Sequence, residues 1–284
     1  MASLKDIRRR IGAVRGTQKV TRAMKLVAAA KLKRAQQDAL DARAYAYDLH
    51  DAAMRISMRL GPGAPAMWRR PGSIECVDVV VVTSDRGLCG GFNENLLRQL
   101  EGGIADVEDH AIATKLFVIG RKGVRYCRAK GFDMEAVPVD GGDPAAASWI
   151  IERVLGRYGR GESAGANLLF NRFTGSAGYE PVFWNLVPLF RRGTGPDRFM
   201  DYIYEPDRAD FLDSLARASL RATLTQAMLE SRGAELAARM AAMDSATRNA
   251  DDMISHLTFV YNRARQESIT RELIDIVGGA EALK

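Results

Sequence analysis

Apolar residues recur at alternating steps of four and three along both ends of this chain, and that rhythm constrains the fold more than any other feature. From Ala28 the steps reach Leu32, Ala35, Ala39, Ala42, Ala46, Leu49, Ala53, Ile56 and Leu60, and in the other direction Val14, Ile11, Ile7 and Leu4. Between these stretches lie Lys25, Thr21 and Gln18, a polar interruption in an otherwise apolar seam. Nothing breaks the pattern before "GPGAP" at 61–65, where proline's fixed φ and missing amide donor end a helix. Gly12 and Gly16 cost about 1 kcal/mol each against alanine, too little to interrupt so long a repeat.

The other end keeps the same phase through Leu236, Met240, Met243, Thr247, Ala250, Ile254, Leu257, Tyr261 and Ala264, with Leu229, Ala222 and Leu215 extending it backwards by sevens. A strict seven-residue repeat winds a helix left-handedly around a partner. Two such helices in one chain predict an antiparallel coiled coil, and a seam rich in alanine lets their backbones approach closely. At ~1.5 Å per residue, residues 3–60 would span about 87 Å and residues 207–283 about 115 Å, too long to fold back inside a globule. An ordinary bundle would need more helices than the middle of the chain offers.

That middle reads differently. "CVDVVVVTS" (76–84) and "KLFVIG" (115–120) are β-branched runs suited to buried parallel strands. Helical stretches follow them at about 92–101 and 121–130, and "DPAAASWIIERVLGRY" (143–158) is a third helix with Pro144 near its start. "ANLLFNRF" and "EPVFWNLVPL" read as later strands and "FMDYIYEP" as a last one. The alternation predicts a small Rossmann-like α/β domain with a mostly parallel sheet, inserted on the coiled coil. The expected division is 1–60 for the N-terminal helix, 72–206 for the α/β domain and 207–284 for the C-terminal helix.

Composition narrows the functional classes. A chain that is 47% hydrophobic and 27% charged is ordinary for a soluble protein, and no window approaches the ~18 uncharged apolar residues of a membrane helix. "MASLKDIRRR" lacks the apolar core of a signal peptide, which argues against export. Cys76, Cys89 and Cys127 form no Cys-x-x-Cys pair and suit a reducing compartment. His50, His110 and His256 show no metal-ligand spacing and read as solvated or helix-face residues. Residues 1–34 carry eleven basic residues against the single acid Asp6, a net +10 that will seek an acidic partner.

The segment "TSDRGLCGGFN" (83–93) follows a strand and opens a helix, the layout of a phosphate cradle. Its spelling is neither G-x-G-x-x-G nor G-x-x-x-x-G-K-[ST]. Gly87, Gly90 and Gly91 are better read as permitting a tight turn and close approach of a neighbour. Cys89 reads as a packing or contact residue rather than a nucleophile, and Asp85 and Glu94 form no recognisable acid–base pair.

Three stretches, "LKDIRRRIGAVRGTQKVTRAMKLVAAAKLKRAQ" (4–36), "TSDRGLCGGFN" (83–93) and "ARQESITRELIDIVGGAEAL" (264–283), in that order on a coiled-coil layout, closely resemble the gamma subunits of F-type ATP synthases. The last keeps the family's closing pattern at Ile269, Thr270, Glu272, Asp275, Gly279, Ala280 and Ala282. The resemblance implies an asymmetric rotor shaft inside a hexamer of alternating alpha and beta subunits, coupling ion flow through a membrane ring to ATP turnover on beta. It implies no catalytic residue, cofactor or metal in this chain.

The resemblance also implies contacts. An acidic catch loop on beta would meet Lys19, Arg22, Met24 and Lys25, with the basic side chains facing outward, and Arg86 and Cys89 of the glycine turn. Arg265, Gln266, Thr270, Glu272, Ile276 and Val277 would form the C-terminal shaft and bearing contact, with Ala280 and Leu283 beyond. The α/β domain would meet the epsilon subunit and the ring of c subunits, so membrane contact would come only through the ring. The expected location is the cytoplasmic face of a bacterial inner membrane, with the matrix side of a mitochondrial membrane as the alternative for a processed chain. The paired-cysteine insert of chloroplast forms is absent. The stretch 179–190 is more aromatic than the family's usual, and Trp184 reads equally as a core residue or a subunit contact. Two rival readings are a nucleic-acid-binding coiled coil using the basic N-terminal helix and a small oxidoreductase in the middle domain. The first lacks aromatic residues in 1–34.

Overall fold

The computed structural model describes residues 4–60, 63–69, 72–140, 142–174, 178–190, 202–205 and 207–281. Two long helices open and close the chain: α1, Leu4–Ser57, of 54 residues, and α5, Arg208–Glu281, of 74. Between them lie β1 (Cys76–Val82), α2 (Phe92–Glu108), β2 (Ala113–Ile119), α3 (Arg121–Lys130), β3 (Met134–Ala136), α4 (Gly142–Gly159), β4 (Ala166–Phe173) and β5 (Tyr179–Val187). A short 3-10 turn at Ala66–Trp68 follows α1. Gly61 and Pro62, where "GPGAP" begins, lie outside the described residues. By its contacts the chain forms two units, residues 1–29 with 239–284, and residues 30–238.

In the first unit the ends of α1 and α5 lie side by side. Ile7, Ala28, Met243 and Ala250 are buried, and Leu4, Ile11, Val14, Ile254, Leu257 and Tyr261 are half-buried, which is the seam the heptad phase marks. Cross-helix pairs Gln18–Asp251, Thr21–Thr247 and Lys25–Asp244 run in opposite senses along the two helices and make them antiparallel.

In the second unit the sheet order is β3-β2-β1-β4-β5. β1 to β4 are parallel to their neighbours, and β5 pairs antiparallel with β4 at the edge. Pro181 sits in that edge strand, where a missing amide donor is tolerated. Alternation along β1 sends Val79 and Val81 to one face and Val80 and Val82 to the other. The first face is covered by Leu96, Leu97, Leu100 and Ile104 of α2 and Cys127 of α3. The opposite face is covered by Ile150, Ile151 and Val154 of α4, and by Leu220, Leu224, Ala227 and Met228 of α5. The C-terminal helix is therefore a core element of the α/β layer as well as a strand of the coil. Along α1, Leu32, Ala35, Ala39, Ala46, Ala53 and Ile56 are buried in phase with the heptads.

Three expectations need correction. β3 was not foreseen, because its three residues carry no β-branched run. Helix α2 continues past residue 101 to Glu108, since Gly102 and Gly103 do not end it. A Cβ at Gly103 would lie 2.8 Å from Cζ of Phe183, so this glycine makes room for a ring on β5. The strand expected in "FMDYIYEP" is not formed over the described residues 202–205, while 199–201 and 206 lie outside them. Tyr204 instead stacks edge-on against Phe211 and joins the cluster of Trp68, Leu189 and Leu212.

Candidate functional site

The polar interruption of the seam is a built layer. Thr21 and Thr247 are buried with their hydroxyls 2.8 Å apart. Each also reaches a carbonyl of its own helix, Gln18 O at 3.0 Å and Met243 O at 2.7 Å. Gln18 donates to Asp251, and Lys25 Nζ lies 2.5 Å from Asp244 Oδ1. Arg248 binds the other oxygen of Asp244 at 3.0 Å. The hydrogen bond from Lys25 is the main cause that holds the Asp244 carboxyl below its usual range. Of the basic run expected to face outward, Lys19 and Arg22 are exposed, whereas Lys25 is half-buried and committed to α5. Met24 is half-buried beside it. Asp244 and Asp251 were missed from sequence. They sit three before and four after the seam residue Thr247, the positions that flank it on a helix face.

The register set by these pairs puts Leu4 opposite the region of Ala264. Among the described residues no part of α1 lies beside the last turns of α5. Arg265, Gln266, Thr270, Glu272, Ile276 and Val277 are all exposed, as are Ile269, Leu273 and Ile274. The side chains of Asp275 and of 278–281, and residues 282–284, lie outside the described set. Further back, Val20, Leu26, Val27, Met253 and Phe259 are also exposed. Apolar residues at that density on a solvent face mark an interaction surface.

In the second unit, the glycine turn between β1 and α2 is held rigidly. Leu88 and Gly90 take positive φ values of 63° and 56°, which fold the chain tightly before α2. Asn93 Oδ1 accepts from the Ser84 amide at 3.0 Å, and Asn93 Nδ2 donates to Ser84 Oγ at 2.8 Å. Cys89 turns inward against Phe92, Ala234 and Ala238. What the turn shows to solvent is Asp85, Arg86, Leu88 and Gly90. Cys89 is therefore placed as the packing residue of the turn, and Arg86 as its exposed cation. Gly87 has Lys122 Nζ 3.4 Å from where a Cβ would stand, so the close neighbour is a lysine. Asn93 and Thr83 were not singled out from sequence; Thr83 Oγ1 accepts from the Gly123 amide at 2.9 Å and donates to Ile119 O at 2.7 Å.

Titratable groups elsewhere are structural in geometry. Asp78, fully buried in β1, receives Arg157 Nε at 3.1 Å. Burial raises the Asp78 carboxyl above its ordinary range although Arg157 pulls it down. On the guanidinium, burial opposes the charge, but Asp78 and its neighbours outweigh it and the net change is upward. Both values rise, so the charge is disfavoured on Asp78 and favoured on Arg157, which keeps a fifth of its side chain in water and loses less hydration than Asp78. Burial lifts the Cys127 thiol to about 11. It also raises the Cys76 thiol, Asp78 adding to the effect. Neither is poised as a thiolate nucleophile. Among the described residues no cluster of His, Cys, Asp or Glu is disposed to hold a metal ion, and no helix is long and apolar enough to cross a membrane. Trp184 is a packing residue: its ring meets Tyr47 at 6.0 Å and His50 at 5.4 Å, edge to face.

Comparisons with known proteins fit this geometry. A family model described as ATP synthase matches residues 3–283. The ATP synthase gamma chain of Prosthecochloris aestuarii is 41% identical over 292 residues, covering 100% of this chain and 99% of that one. The gamma chain of Desulforamulus reducens is 39% identical over 290 residues, covering both chains fully. Among solved structures, a chain from the OSCP/F1/c-ring structure of Euglena gracilis mitochondrial ATP synthase in rotational state 3 superposes with a TM-score of 0.70 at 19% identity. It covers 99% of this chain and 94% of its own. A chain from the central stalk/c-ring structure of the Tetrahymena thermophila enzyme gives 0.62 at 22% identity, covering 80% and 99%. At such identities the likeness speaks to the fold.

Proposed function

This chain belongs to the ATP synthase gamma-chain family, and from that premise we propose that it is the rotor shaft of an F-type ATP synthase, coupling ion flow through a membrane ring to ATP synthesis and hydrolysis on beta subunits. The observation that carries the reading is the full-length match to gamma chains at about 40% identity. Relatives named gamma chain are subunits, and we read this chain as one without catalytic residues of its own.

A shaft drives its neighbours only if its contacts differ with angle, because a ligand shifts an equilibrium only by its differential affinity for the two states. The exposed end of α5 suits a bearing: Ile276 and Val277, with Ile269, Leu273 and Ile274, offer apolar contacts that slide without fixed hydrogen-bond partners. Arg265, Gln266, Thr270 and Glu272 would form the polar collar beside them. Lys19, Arg22, Met24 and Lys25, with Arg86 and the turn that Cys89 anchors, would meet the acidic catch of beta. Exposed ionic contacts of about 0.2–1 kcal/mol suit bonds that must form and break at each turn. Lys25, already paired with Asp244, would meet the catch as a shared cation. The three-part division serves this reading, with 1–60 and 207–284 as shaft and 72–206 as the foot that meets epsilon and the c-subunit ring. The protein would lie peripherally on the cytoplasmic face of the bacterial membrane.

The test is co-expression with the alpha and beta subunits of its own enzyme. Stoichiometric co-purification, and ATP-driven proton or sodium transport by the complex restored to membranes, is the expected result. Salt-sensitive DNA binding by the chain at physiological ionic strength, without subunit association, would favour the nucleic-acid reading. Nicotinamide or flavin binding would favour the oxidoreductase.

A further inference from the structure

Gln226 and Glu230 stand one helical turn apart on α5 in the second unit, 7% and 2% exposed. Gln226 Nε2 donates to Glu230 Oε1 at 2.5 Å, and Arg43 of α1 donates to the same oxygen through Nε at 3.1 Å and Nη2 at 2.9 Å. Three donors thus converge on one oxygen. The remaining oxygens of the pair, Gln226 Oε1 and Glu230 Oε2, are buried without a partner. Both residues line a cleft of about 30 Å³ walled by Tyr47, His50, Trp184 and Thr223. Buried polar atoms in native proteins are nearly always satisfied, and two orphan acceptors on one side-chain pair call for a shared donor.

We propose that this cleft is an internal hydration site, in which one water molecule donates one hydrogen to Gln226 Oε1 and the other to Glu230 Oε2. Size and charge select the ligand. A water needs roughly 10–15 Å³ and two to four polar partners, which this space supplies and which an organic ligand would exceed. A cation is the poorer occupant, because Arg43 pairs with Glu230 and Arg172 contributes to the same wall. His50 brings no negative charge to hold a cation, and burial keeps its ring toward the neutral form against the opposing pull of Asp51. Thr223 and His50 line the same cleft and bring a hydroxyl and an imidazole to it. The water completes a latch in which Glu230 serves Arg43 of α1 and Gln226 of its own helix together. It stands independently of the rotor reading.

The test is a structure of the full chain, alone or with the subunits it co-purifies with, at a resolution that shows ordered water. It is determined for the wild type and for Gln226→Leu, with Gln226→Met as substitute should the leucine variant fail to fold. The expected result is a peak within ~2.7–3.2 Å of both oxygens in the wild type. The variant should lose the peak and keep the Arg43–Glu230 pair. Direct contact of the two oxygens at ~2.6 Å with no peak would replace the water by a shared proton and overturn the proposal. A peak seen only in ammonium-containing buffer would make the ligand a cation and overturn it too. Persistence of the peak in the variant would show that Gln226 is no partner of the water, and the proposal would fall on that result as well.

Discussion

At the scale of single residues, Asp78 and Met24 carry the clearest expectations. Replacing Asp78 with asparagine removes the main counterion of Arg157 but also a carboxylate charge that burial disfavours, so at neutral pH the loss should stay below the ~3–5 kcal/mol of breaking a buried pair. Arg157 keeps Glu162 at 3.1 Å and some hydration, which reduces the loss further. The pH dependence has a definite sign. The carboxyl of Asp78 is raised by burial, so its contribution to stability is complete below the usual aspartate value of 3.8 and declines as pH climbs through the raised native value. Asp78→Asn has no such titration, and the gap between wild type and variant should narrow from acid toward neutrality. Urea unfolding of the full chain across that range measures it; a gap that widens would contradict the assignment. Met24→Lys tests the proposed catch. It sets a new charge beside the Lys25–Asp244 pair on a half-buried site. Subunit assembly should be preserved, while ATP-driven ion pumping falls several-fold relative to ATP hydrolysis. Equal pumping per ATP in variant and wild type would remove the case for this contact.

At the scale of elements, the polar layer reads as a register device. An apolar heptad seam made largely of alanine has little to distinguish one register from its neighbour, and a polar residue at a seam position is the best-attested way to specify one. The double variant Thr21→Val with Thr247→Val should leave stability within about 1 kcal/mol of wild type, because both partners of the hydrogen bond leave together. It should also raise the yield of disulfides between cysteines engineered one heptad out of register, and an unchanged yield would show that the apolar seam alone fixes the alignment. Acid should loosen the layer as well. The Asp244 carboxyl is lowered mainly by Lys25, so what the pair contributes is present above the usual value and is lost as pH falls through the lowered one. The heptads made both long helices legible in the sequence, the β-branched runs did the same for β1 and β2, and the apolar run of "ANLLFNRF" did so for β4. The aromatic alternation of 199–206 misled because Tyr204 docks on Phe211 rather than pairing in a sheet. Likewise the gap at Gln18, Thr21 and Lys25 was legible, but its partners were not. Asp244 and Asp251 lie one turn either side of a seam residue, where a carboxylate looks like a solvent-facing charge until the facing helix is known. The inward turn of Cys89 depends on the backbone at Leu88, whose positive φ no side-chain pattern announces.

At the scale of the whole molecule, the surface left uncovered decides how the chain behaves alone. Val20, Leu26, Val27 and Phe259 are exposed along the coil, and Ile269, Leu273, Ile274, Ile276 and Val277 follow on the last turns of α5. Single exposed apolar residues are normal, whereas a run of this kind marks an interaction surface in a monomer. A net charge of +6 opposes association, yet charge repulsion between solvated side chains is screened within about 8 Å at physiological salt while apolar contact is not. The chain should therefore self-associate more as salt is raised, the reverse of a complex held by its basic N-terminal helix. Sedimentation velocity over a concentration series at two ionic strengths distinguishes the cases. Replacing Leu273 and Ile274 with glutamine should cut the self-association several-fold without lowering the unfolding midpoint, since neither side chain is buried within the chain. The same double variant should bind more weakly to the alpha and beta hexamer if the end of α5 is the bearing. A wild type that sediments as one monomer at every concentration and salt would mean that these apolar side chains are no docking surface, and the bearing would have to be sought elsewhere on the chain.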